Sequence, residues 1–104
     1  MTGEEEIKLV RESERGARAK RLIDDDLMKE AFGTVEDWIV NSWKESPIRD
    51  AEGQLGLRLM YQCLNRVRKH LEEVMATGKL ANMQLEQERT IKSRMASAVR
   101  AFRS

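Results

Sequence analysis

Apolar residues recur at intervals of three and four along most of this chain, and that spacing restricts its fold more than any motif. Leu57, Met60, Leu64, Val67, Leu71, Val74 and Met75 make one stripe, widened on one side by Leu55, Leu59 and Cys63. Leu27, Met28, Ala31, Phe32, Val35, Trp38, Ile39 and Trp43 make a second. At 3.6 residues per turn each set falls on one helical face, whereas a half-buried strand needs strict alternation. No convincing strand pattern is left over. With 36% charged and 5% aromatic residues in 104, the chain has the profile of one small all-α domain.

Local chemistry places the helix boundaries. A first, charged helix is expected from Glu4 to Ile23, with only Ile7, Val10, Ala17 and Leu22 as an apolar stripe. Gly16 weakens it by roughly 1 kcal/mol relative to alanine, so it needs a partner to become ordered. Asp24, Asp25 and Asp26 offer an N-cap and favourable charge to a second helix reaching Glu45. Ser46-Pro47 ends that helix, because the residue before a proline avoids the α region.

The short loop returns the chain antiparallel, and Asp50 caps a third helix with Glu52 in its first turn. Gly78 is expected to stop this helix as a left-handed C-cap. A fourth segment follows, in which Leu80 to Gln87 packs back on the third helix. Ile91, Met95, Ala98, Val99 and Phe102 then form an amphipathic stripe. The expected fold is an antiparallel helical hairpin or bundle, residues 25–45 against 50–77, in one domain covering 1–104. Residues 1–23 form a charged N-terminal helix, 25–87 the core helices, and 88–104 a basic C-terminal helix.

The formal net charge of +1 conceals an asymmetry. Residues 1–46 carry 8 basic and 12 acidic side chains, and residues 47–104 carry 11 and 6. Beyond Glu88 come Arg89, Lys92, Arg94, Arg100 and Arg103 with no acid. Such polarity favours head-to-tail association or an anionic partner. The start of the chain lacks the basic-then-apolar pattern of a secretory signal, and no apolar run reaches the roughly 20 residues needed to span a bilayer. A soluble intracellular protein is the expectation, with no membrane partner.

Chemistry-bearing residues are few. His70 is the sole histidine, so the two-histidine zinc helix is excluded. Its neighbours supply no nucleophile, orienting group or oxyanion donor. Cys63 is the sole cysteine, which excludes an intramolecular disulfide; at the edge of the third helix's stripe, it is expected to be buried as a small hydrophobe. The acidic runs at 4–6 and 24–26 lack the alternation of a calcium loop. The six glycines are scattered singly, so no phosphate loop exists.

No catalytic, cofactor-binding or metal-binding residue is assigned, and no small-molecule substrate is expected. The pattern does support an interface. Trp38 and Trp43 lie about 140° apart on a helix, so one belongs to the core and Trp43 is the candidate for a partner contact. Ile91, Met95, Val99 and Phe102 join it as interface candidates. Arg89, Lys92, Arg94, Arg100 and Arg103 are candidate anion contacts, although no aromatic is interleaved for base stacking.

The stretches "ERGARAKRLIDDDLMKEAF" and "RDAEGQLGLRLMYQCLNRVRKHLEEVMATGKLA" resemble a group of short bacteriophage and prophage proteins. Their pattern couples an N-terminal Arg-Gly stretch to a later Arg-Asp-x-Glu-Gly start and a His-Leu…Thr-Gly-Lys-Leu-Ala end. The resemblance covers about residues 14 to 86. Arg49, Asp50, Glu52, Gly53, His70, Gly78 and Lys79 carry the second half of it. It implies a phage-encoded protein of the kind found beside virion-assembly genes, present in the host cytoplasm during assembly or in the virion. It brings no catalytic residues, and the basic C-terminal helix lies outside it.

The expected role is therefore a non-enzymatic structural or assembly component, a homo-oligomer or a partner of phage structural proteins. Two alternatives stand beside it: a nucleic-acid-binding packaging or regulatory accessory, and a small inhibitor of a host protein.

Overall fold

The computed structural model describes residues 1–103, and among these every regular element is an α-helix. There are three: α1 (Gly3–Asp24), α2 (Asp26–Glu45) and α3 (Ala51–Arg103). The chain is all-α, with one helix fewer than its sequence pattern suggests. Lys79 to Arg103 is not a separate element; it is the second half of a single 53-residue helix. Gly78 lies inside that helix without a positive φ, so it caps nothing. The segment from Leu80 to Gln87 consequently cannot fold back on α3, because it belongs to it.

The helix starts obey local rules. Thr2 and Glu5 form a reciprocal capping box: the Glu5 amide donates to Thr2 Oγ1 at 3.1 Å, and the Thr2 amide donates to Glu5 Oε2 at 3.2 Å. Asp25, in extended backbone, caps α2 by accepting from the Met28 amide at 2.9 Å. Asp50 caps α3 the same way, accepting from the Gly53 amide at 3.0 Å. At the end of α2 the Ser46 amide and hydroxyl both donate to the Trp43 carbonyl, at 3.1 and 2.6 Å. Proline follows, and the helix cannot continue.

The chain divides into two compact units. One takes residues 1–18 with those from Val74 onward. Its buried positions are Gly16, Gly78 and Ala81, with Leu9, Glu12, Val74, Leu85 and Glu88 partly covered. A Cβ added at Gly16 would stand 2.6 Å from the Gly78 Cα, and one at Gly78 would stand 2.5 Å from the Gly16 Cα. The two helix backbones touch, which only paired glycines permit. The charged first helix therefore has a partner within its own chain.

The other unit takes residues 19–73. Ile39 is its largest buried side chain, at 3% exposure. Around it α2 and the first part of α3 are joined by side chains. Arg68 Nη2 donates to Glu36 Oε2 at 3.0 Å, and the same guanidinium lies 5.2 Å from the centre of the Phe32 ring. Nearer the loop, Gln54 Nε2 donates to the Pro47 carbonyl at 3.1 Å.

Candidate interaction surface

Little of the apolar surface is covered. Among the described residues the buried hydrophobic side chains are Ala19, Ile39 and Ala81 only.

The residues expected to form interfaces are all exposed. Met95 is 63% exposed and Phe102 93%, and no side chain from Ile91 to Arg103 is covered. Trp43 is 56% exposed, but so is Trp38 at 55%. The expectation that one tryptophan enters the core therefore fails. α2 is half-covered along one line through Met28, Phe32, Glu36 and Ile39; Trp38 lies off that line, and Trp43 continues it one turn past Ile39 yet stays exposed. Cys63 corrects a second expectation. Its thiol is free and exposed, because the covered face of α3 runs through Leu57, Leu64, Arg68 and Leu71 instead.

A continuous register runs the length of α3. Leu57, Leu64, Leu71, Gly78, Leu85, Lys92 and Val99 stand seven apart. Met60, Val67, Val74, Ala81, Glu88, Met95 and Phe102 form the companion set three residues on. The spacing is the a/d heptad of packed helices, apolar on either side of a charged break at Glu88 and Lys92. Reading Gly78 as a helix stop hides it, although the spacing across Gly78 is there to be counted. Along the companion set Met60 is 44% and Val67 53% exposed, so that side of the seam is open in the second unit also.

The five basic residues after Glu88 are exposed like their neighbours. Arg94 and Arg100 lie off the a/d seam, and Lys92 lies in it. His70 is exposed and sits with Arg58, Arg66, Lys69 and Glu73 along a solvated face of α3. That broad depression is lined by residues of α3 alone. Among the described residues no group of His, Cys, Asp and Glu is placed to hold a metal ion. No described helix is long and apolar enough to cross a membrane.

Comparison with known proteins gives no family model that matches the chain, and no similar curated protein or solved structure.

Proposed function

We propose that this chain is a non-enzymatic structural or assembly component that works as a homo-oligomer through helix-to-helix contacts. The observation that carries the reading is the apolar stripe of Met95, Val99 and Phe102, exposed yet in register with the packed part of the same helix. A heptad maintained on a solvated face is a pattern that a partner helix requires and solvent does not. Within the second unit, Arg68 meets Glu36 while Gln54 meets Pro47. This order supports an antiparallel hairpin of α2 and α3, with further helices supplied by assembly. The phage setting, in the host cytoplasm or the virion, rests on the resemblance of residues 14 to 86.

The test is solution mass by light scattering at low and high salt, on the wild type and on Met95→Asp. A discrete multimer that survives high salt and dissociates on substitution is expected. An unchanged mass in Met95→Asp would sink the role of this stripe.

A nucleic-acid accessory is the second reading, favoured by the exposed Arg89, Lys92, Arg94, Arg100 and Arg103. Phosphate contacts make binding fall steeply with salt. Absence of duplex or single-strand binding at low salt removes it.

A further inference from the structure

One stretch of α3, within the second unit, carries positive charge that is largely unbalanced. From Gly53 to Leu71 there is no aspartate or glutamate, while Arg58, Arg66, Arg68 and Lys69 are all present. Arg68 turns to Glu36. The other three, with Gln62 and Asn65, fall within about 100° of one another around the helix, and His70 borders them. Among the described residues, Arg58, Arg66 and Lys69 form no ion pair.

The first helix treats its exposed cations differently. Acids stand four residues beyond two of them, in the pairs Lys8–Glu12 and Lys20–Asp24. On α3 that position holds Gln62 after Arg58 and His70 after Arg66. Glu73 follows Lys69 at the same spacing, and the two do not pair. Unanswered charge along one face suits a polyanion.

Aromatic side chains adjoin this face. The depression over it and an apolar hollow lined from both α2 and α3 share Arg58 and Tyr61, and Trp43 lies in the second. Trp43 is 56% and Tyr61 37% exposed. An acidic protein surface would need only the cations. Exposed rings beside them match the flat faces of unstacked bases, and the Gln62 and Asn65 amides offer donors and acceptors to base edges.

We propose that this face binds single-stranded nucleic acid, with Arg58, Arg66 and Lys69 neutralising phosphates while bases stack on Trp43 and Tyr61. The rise from Arg58 to Lys69 is about 16 Å, long enough to follow a few nucleotides. A duplex would bring phosphates to the cations but keep its base faces in the stack, leaving the rings unused. The surface is separate from Arg89 to Arg103, and it requires no assembly.

Fluorescence titration with a short mixed-sequence single-stranded DNA at low salt tests this, using Trp38→Phe so that Trp43 is the sole indole. Its emission should be quenched on binding. Three phosphate contacts should make affinity fall about 20-fold for a fourfold rise in salt. Replacing Arg58, Arg66 and Lys69 together by glutamine should weaken binding at least tenfold and flatten that dependence. Helicity should be unchanged, because all three side chains are exposed. Trp43→Ala, followed by anisotropy of a labelled strand, should weaken binding about five- to hundredfold with the salt dependence retained. Binding without quenching, or equal affinity for duplex DNA or for polyglutamate, would overturn the proposal. So would binding that survives the triple substitution and is lost in Arg94→Gln/Arg100→Gln, which would move the contact to the end of α3. No binding at low salt would end it together with the accessory reading, while the assembly reading stands or falls on its own mass measurement.

Discussion

Gly16 of α1 and Gly78 of α3 meet backbone to backbone, so closely that a methyl group on either would intrude on the other's Cα. Both glycines cost helix propensity where they stand, about 1 kcal/mol each relative to alanine. The return is an approach that no other residue allows. Gly33 and Gly56 share the propensity cost, but a Cβ at either meets nothing within 4 Å.

Substitution should separate these cases. Gly33→Ala should stabilise the chain by about 0.5–1 kcal/mol, because the methyl enters open space. Gly16→Val and Gly78→Val should each destabilise it by about 1–3 kcal/mol by forcing the helices apart. Urea unfolding read by circular dichroism distinguishes them; equal effects at Gly33 and Gly78 would refute the close-contact account.

Arg68 ties α2 to α3 through Glu36 and the Phe32 ring, but the ion pair is about a third exposed, with side-chain values of 32% and 33%. Solvent screening therefore limits the pair. A double-mutant cycle of Arg68→Ala and Glu36→Ala should return a coupling of about 0.5–1 kcal/mol, smaller at high salt. Arg68→Ala alone should cost more than Glu36→Ala, since only the former also removes the ring contact.

Asp25 and Asp50 each satisfy an amide at the start of a helix. Replacement by alanine should cost about 1 kcal/mol at either site, and replacement by asparagine far less. Thermal melts of the four variants check this, with similar losses for alanine and asparagine as the contrary result.

Lys20 Nζ donates to Asp24 Oδ2 at 2.6 Å, and this hydrogen bond, reinforced by the lysine's charge, holds the Asp24 carboxyl below its ordinary pKa. A depressed carboxylate stabilises the fold above its unfolded pKa, and the contribution disappears as pH falls through the folded value. Carbonyl-detected NMR titration should find Asp24 protonating at lower pH in the wild type than in Lys20→Ala. Because the pair is open to solvent, the unfolding midpoint above the carboxylate range should scarcely change.

The fold class and most of the helix punctuation are written in local sequence. Spacing at three and four residues, the caps at Asp25 and Asp50, and the stop at Ser46-Pro47 are consequences of backbone hydrogen bonding within a few residues. They need no knowledge of what lies across the fold. The Thr2–Glu5 box belongs with them, since a threonine three residues before a glutamate marks such a start.

Everything else depended on packing between helices. Gly78 has the composition of a helix end, but a glycine serves equally well where two backbones touch, and only the presence of Gly16 across the contact distinguishes the two uses. The same holds for burial. Leu64 and Val67 belong to one stripe, yet Val67 is the more exposed because the neighbouring helix covers the other side. Cys63, Trp38 and Trp43 are apolar enough for a core, but periodicity names a face without naming its neighbour. Which face is covered depends on the helix that arrives there, and none of the described helices arrives at Met95, Val99 and Phe102.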